Sequence, residues 1–207
     1  MPAPITDKIK AQEEQQFTGS IRDLFKVRRH FINLLILIFA WIASSFNIYL
    51  VTYLLKYLKG DIFTNTMTTN AADIPIVLLG GVAYKFIGLR FSLFFAFLVA
   101  SVGSMSLLLL SDVYPDITPV MLLLAKGGVK MTFNVVYLAN SQIFPAIFAG
   151  TAFGICNIGA KLATIFSPYM AEVDPPTPMI VFSVLAIAAA VLSLFIRTAA
   201  TTNIKAA

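Results

Sequence analysis

The sequence predicts an all-α, polytopic membrane protein with about six transmembrane helices, because its apolar residues are too many and too clustered for a soluble domain. Hydrophobic residues fill 58% of the 207 positions and charged residues only 12%, with a mean hydropathy of +0.85. A soluble domain carries about 25% charge. The apolar residues fall in runs close to the length that crosses the hydrocarbon core as a helix. Basic residues gather in alternate connections between these runs, as the positive-inside bias produces in a multi-pass protein. The expected organisation is a polar cytoplasmic tail over 1–30, a six-helix membrane domain over 31–197 and a second cytoplasmic tail over 198–207.

The first element is the tail. Met1 to Phe17 is polar, and Ser20 and Asp23 then have the spacing of a capping box, with Asp in place of Glu. Ile21, Leu24, Phe25 and Val27 share a face, while Arg22, Lys26, Arg28, Arg29 and His30 supply charge. This pattern fits a short basic amphipathic helix at the membrane surface, or a plain positive flank of the first span. No short apolar core precedes a cleavage site, and Asp7, Glu13, Glu14 and Asp23 are unlike a transit peptide. The target membrane, plasma or mitochondrial inner, stays open.

Six spans follow. They are Phe31 to Leu55, Ala71 to Tyr84 (with Thr66 as an earlier start), Phe91 to Leu110, Pro119 to Ala139, Ile147 to Met170 and Pro178 to Ile196. The second is interrupted by Asp73, Pro75, Gly80 and Gly81. One set of connections and tails carries Lys8, Lys10, Arg22, Lys26, Arg28, Arg29, Lys85, Arg90, Arg197 and Lys205. The opposite set carries only Lys56 and Lys59, against five acids: Asp61, Asp112, Asp116, Glu172 and Asp174. Both termini are therefore expected inside, and an even number of spans follows.

Four ionisable residues fall within these spans: Asp73, Lys126, Lys130 and Lys161. Each costs at least about 2.5 kcal/mol at the bilayer centre, so each marks a candidate site. Lys126 lies near enough to the outer surface to snorkel. Lys130 is either a ligand for a solute or half of an ion pair with Asp73. Lys161 is a candidate ligand near mid-membrane. Three bases and one acid make an interior that favours an anion where water is scarce. Phe133 and Tyr137, one turn apart, either line a cavity or fill the core. Gly150 and Gly154 have GxxxG spacing, which fits close helix packing. The single cysteine, Cys156, reads as a packed thiol. One His and one Cys exclude the usual zinc spacings, and no phosphate loop or paired catalytic carboxylates occur. Neither a cofactor nor an enzymatic activity is expected. The net charge of +5 belongs to membrane flanks, so no nucleic-acid partner is expected.

Lys126, Phe133, Tyr137, Gln142-Ile143-Phe144-Pro145-Ala146, Ala149, Gly154, Lys161 and Ser167-Pro168 stand in an order that resembles the tenth and eleventh helices of the organic-ion transporters of the major facilitator superfamily. Asp73-Ile74-Pro75 resembles that family's acidic-x-Pro in the eighth helix. The stretch from Gly81 through Lys85 and Gly88 to Arg90 resembles its G-x-x-x-D-R-x-G-R-R loop. Trp41 and Tyr49 suit the seventh helix. The resemblance covers the chain from about Ser20 onward and implies the C-terminal half of such a fold, two inverted three-helix repeats with substrate bound between halves. It also implies that the Lys161 position is basic in anion carriers and acidic in cation carriers. Lys161, Lys130, Phe133, Tyr137 and Asp73 are the substrate-binding candidates. Gly81, Lys85, Gly88, Arg90, Gln142 and Pro145 are the gate candidates. The gate departs from the family, with Lys85 and Phe86 replacing Asp-Arg, Gln142 replacing Glu and Ala149 replacing Arg.

Two functions compete on this evidence. One is an organic-anion carrier half completed by a second copy or a partner membrane protein in the bilayer. The other is a non-transporting subunit of a larger membrane complex, such as a respiratory assembly. The lost gate charges favour the second, and the intramembrane lysines favour the first.

Overall fold

A backbone in hydrocarbon must satisfy its own hydrogen bonds, and every apolar run of this chain does so as helix. The computed structural model describes residues 28–58, 61–111 and 113–197. They form helices α1 (Arg28–Leu54), α2 (Ile62–Ala71), α3 (Asp73–Leu110), α4 (Thr118–Ile143), α5 (Ala146–Thr164), α6 (Ser167–Ala171) and α7 (Thr177–Ser193), with one 3₁₀ turn at Pro115–Ile117. No strand occurs among the described residues. The tails, and with them the surface helix expected over residues 20–30, lie outside the described residues, except that Arg28 to His30 already belong to α1.

Four stretches are long and apolar enough to cross a membrane, namely Arg28–Leu54, Ile62–Leu110, Pro115–Ile143 and Ala146–Ala171, and the shorter Thr177–Ser193 is also apolar. Ile62–Leu110 is two rods rather than one. Gly88, at φ 76° and ψ 174°, is non-helical inside α3. A Cβ on Gly127 would meet Ile76 Cδ1 at 2.7 Å, and one on Gly128 would meet the Ala100 nitrogen at 2.5 Å. Ile76 and Ala100 therefore lie against adjacent residues of α4, although a straight helix would separate them by about 36 Å. The chain reverses at Gly88, giving arms 73–87 and 89–110. With this hairpin the described residues make six rods, and the protein is a multi-pass helical membrane protein.

Several boundaries differ from the sequence expectation. The second rod begins at Ile62, well before Ala71, because Asp61 caps α2: its carboxylate accepts from the Phe63 and Thr64 amides and the Thr64 hydroxyl. Pro75 does not end this rod. Its missing N–H only opens the α2–α3 junction, where Ala72 keeps αR geometry and bonds continue from Ala72 N to Thr68 O and from Ile76 N to Ala72 O. The Asn140–Pro145 loop is mostly helix. α4 runs to Ile143, and Phe144 turns extended because it precedes Pro145. Pro168 similarly divides the fifth rod into α5 and α6.

α1 packs against α4, α5, α6 and α7. Hydroxyls and amides fasten it: Ser44 to Thr132 at 2.9 Å, Ser45 to Thr164 at 2.9 Å, and Asn47 Nδ2 to the Phe182 carbonyl at 3.2 Å. At one end Asn33 donates to the Arg197 carbonyl and accepts from its amide, both at 2.8 Å. At the opposite end Lys56 pairs with Glu172 at 3.0 Å. Such contacts hold helices together where no hydrophobic force acts between them. The close-packed glycines are Gly103, Gly127 and Gly128, each abutting neighbouring atoms, whereas Gly150 and Gly154 have nothing within 4 Å. The packing role expected for that GxxxG pair is not made within the described residues.

Candidate functional site

Lys126, Lys130 and Asn134 recur every four residues on α4 and so share one face. Opposite them stand Thr69, Asn70, Asp73 and Val77 of the second rod. Lys126 Nζ donates to Asn70 Oδ1 at 2.8 Å and to Thr69 Oγ1 at 3.3 Å. Lys130 Nζ stands 3.1 Å from Asp73 Oδ2, and Asn134 Nδ2 donates to the Val77 carbonyl at 3.0 Å. The three rungs form a part-exposed polar seam between α4 and the second rod. Lys126 is buried, and Asn70 and Thr69 accept its hydrogens. The Lys130–Asp73 pair forms, and Asp73 Oδ1 is buried with no hydrogen-bond partner.

A second cluster sits beside the seam. Trp41 is buried, and its ring lies 4.5 Å from Tyr137, 5.3 Å from Phe153 and 5.9 Å from Phe133, centroid to centroid. Tyr137 also meets Phe133 at 5.0 Å and Phe153 at 5.5 Å. Phe133 and Tyr137 pack on Trp41, with Phe133 half-buried and Tyr137 exposed. Trp41 Nε1 has no hydrogen-bond partner.

Lys161 is exposed on α5, with Nζ 6.0 Å from the Tyr49 ring centroid, at the outer limit of a cation–π contact. No acid pairs with it among the described residues. It lies two turns beyond Phe153, about 12 Å toward the end where Glu172 meets Lys56. Lys130 lies about 10 Å from Tyr137 in the same direction, since α4 runs antiparallel to α5. Both ammonium groups therefore stand on the Lys56–Glu172 side of the aromatic cluster. A separate cavity of about 440 Å³, lined by Pro75, Ile76, Leu79, Phe95, Leu124 and Met131 among others, is apolar and is not lined by either lysine.

The gate candidates gather at the opposite end without a latch. Gly88 makes the reversal, and the Arg90 carbonyl accepts from Ser193 Oγ at 3.5 Å. Lys85 and Gln142 are exposed, and neither side chain has an ion pair or hydrogen bond among the described residues. Gln142 lies in the last turn of α4 instead of in a loop. Pro145 is buried, and its carbonyl accepts from the Phe148 and Ala149 amides to start α5. Gly81 is half-buried and has open space at its Cβ position. The corner is fastened by Asn140 Nδ2, which donates to the Ala149 carbonyl at 2.8 Å. Sequence reasoning missed Thr69, Asn70 and Asn134. Thr69 stands four residues and Asn70 three residues before Asp73, and Asn134 four residues after Lys130; this helical spacing was the available signal.

No family model matches the chain. Among curated proteins it is 25% identical over 205 residues to the human (Homo sapiens) organic cation/carnitine transporter 2, covering 95% of this chain and 36% of that protein. It is 24% identical over 183 residues to solute carrier family 22 member 3 of Rattus norvegicus, covering 86% of this chain and 33% of the relative. It is 23% identical over 146 residues to organic anion transporter 3 of Mus musculus, covering 69% and 27%. The chain thus spans about a third of the length of these relatives. Its homologues are organic cation and anion transporters.

Proposed function

We propose that this homologue of organic-ion transporters supplies one half of an organic-anion pathway, with Lys161 as the residue that meets the anion. The observation that carries this reading is an exposed, acid-free lysine on a membrane-spanning helix. An ammonium cannot rest in hydrocarbon at that depth, so the face bearing Lys161 and Tyr49 must border water or a partner. The same helix leaves Gly150 and Gly154 open, and only 22% of its most apolar stretch is buried. Both features suit a second six-helix half, from another chain or another copy, closing over this face. Lys130 adds a second positive charge at similar depth, and Phe133 and Tyr137 offer an apolar floor for an organic group.

The test is uptake of a radiolabelled aromatic carboxylate by vesicles containing the protein in its native particle. Lys161→Ala is expected to abolish saturable uptake and Lys161→Arg to retain it. Equal uptake by Lys161→Ala would refute the role of Lys161. The unlatched Lys85 and Gln142 favour the alternative of a non-transporting subunit. That alternative predicts a very large particle with many stoichiometric partners and no flux in either protein.

A further inference from the structure

We infer that the tip of the Gly88 hairpin binds the phosphate of an anionic membrane phospholipid, with the Arg90 guanidinium as its main ligand and Lys85 as a second cation. This site stands apart from the anion pathway proposed above and does not depend on it.

Helix length places the tip at headgroup level. As helix, residues 62–87 extend about 39 Å and residues 89–110 about 33 Å, while the hydrocarbon core is about 30 Å thick. The reversal between two such arms falls at the membrane surface. Lys85 stands three residues before Gly88 and Arg90 two after it, so both lie within about 5 Å of the reversal along their arms. Ser193 Oγ donates to the Arg90 carbonyl at 3.5 Å, which sets the tip against the end of α7.

Arg90 lacks a partner there. It is half-buried, and its Nε is buried without a hydrogen bond. Among the described residues no ion pair or side-chain hydrogen bond engages the rest of the guanidinium. The acids stand elsewhere. Asp61 and Asp116 precede helices at the opposite end, Glu172 and Asp174 lie at that end with Lys56, and Asp73 is about 22 Å along the arm from Gly88. Lys85 is exposed, and Arg28 and Arg197 add exposed bases at the same end as the tip.

A guanidinium taken partly out of water is stabilised only where acceptors replace the water it has lost. A phosphate does so with charge-assisted, bidentate bonds that match the planar fork. At headgroup level the phosphates at hand are those of the lipids, and bases between helices at the membrane surface recruit the anionic ones. A zwitterionic lipid is a poorer ligand, because Lys85 repels its own ammonium. Phe86 and Phe91 are exposed on either side of the reversal and border the acyl chains below the headgroup.

The experiment titrates the purified native particle in mild detergent with dioleoyl phosphatidylglycerol or dioleoyl phosphatidylcholine and counts bound lipid by native mass spectrometry. Phosphatidylglycerol is expected to bind about tenfold more tightly than phosphatidylcholine. Arg90→Gln is expected to remove that preference, and Lys85→Gln to weaken phosphatidylglycerol binding about fivefold. Arg28→Gln, at an exposed cation of the same end, is expected to leave it unchanged. Equal binding of the two lipids by the unaltered protein overturns the site. A full preference in Arg90→Gln overturns the assignment to Arg90. An equal loss in Arg28→Gln shows diffuse attraction and also overturns the site. Inorganic phosphate that binds as tightly as phosphatidylglycerol assigns the tip to a free anion and overturns the lipid. If Arg90→Gln does not fold, the comparison of lipids in the unaltered protein and in Lys85→Gln, which alters an exposed side chain, decides the matter.

Discussion

Lys130 of α4 holds Asp73 of the second rod at 3.1 Å, in the middle rung of a seam that also satisfies Lys126 and Asn134. The pair joins two helices, with 33% of the Lys130 and 27% of the Asp73 side chain exposed. Lys130→Met alone, or Asp73→Asn alone, should therefore lower thermal stability in mild detergent more than the double variant does. The coupling should fall near the lower end of about 0.5–3 kcal/mol, since water reaches a part of each side chain. Additive losses would show that the pair is not energetically linked.

Close packing is confined to particular glycines. A Cβ at Gly128 would press on the Ala100 backbone, which has no side-chain freedom with which to yield. Gly128→Ala should cost about 1–3 kcal/mol, as overpacking does. Gly154→Ala meets open space in this chain and should leave its stability unchanged or raise it by up to about 1 kcal/mol through helix propensity. Thermal unfolding of the two variants side by side distinguishes these outcomes.

Gly88 reverses the chain in a conformation that only glycine adopts readily. Gly88→Ala should destabilise the hairpin by about 1–3 kcal/mol. Equal stability of the variant would mean that the reversal does not depend on this backbone geometry.

Two exposed carboxylates, Glu172 and Asp61, should respond to acid. The Lys56 ammonium and its hydrogen bond hold Glu172 below the usual glutamate range, and the Thr64 hydroxyl and amide hold Asp61 below the usual aspartate range. A depressed pKa contributes stability that is fully present above the unfolded value and is lost as pH falls through the folded value. Amide exchange at Phe63 and Thr64 should therefore stay slow at neutral pH, after correction for intrinsic rates, and quicken only below the ordinary carboxylate range. Asp61→Ala should abolish that dependence.

The apolar runs made the rods legible, because hydrocarbon leaves helix as the only way to satisfy the backbone. The start of the second rod was not legible. Residues 64–70 are Thr, Asn and Met, too polar to resemble a span, yet Thr69 and Asn70 are needed there to hold Lys126. Two local signals misled. The GxxxG spacing of Gly150 and Gly154 identified no packed contact, whereas the adjacent Gly127 and Gly128, which have no such spacing, receive Ile76 and Ala100 from two different arms. Which glycine is crowded depends on partners distant in sequence. The intramembrane charges were legible as a set, and the seam that organises three of them needed the fold.

A role for Lys161 in meeting an anion requires that it border water. Cys156 is buried and is the only cysteine, so Cys156→Ser gives a thiol-free background in which Lys161→Cys is a single reporter. The direct measurement is the rate at which a membrane-impermeant methanethiosulfonate modifies that thiol in the native particle, with and without an organic anion. Rapid modification is expected, slowed when the anion is present. A thiol that stays unmodified from the aqueous phase would contradict it and would place Lys161 in a dry contact with another protein.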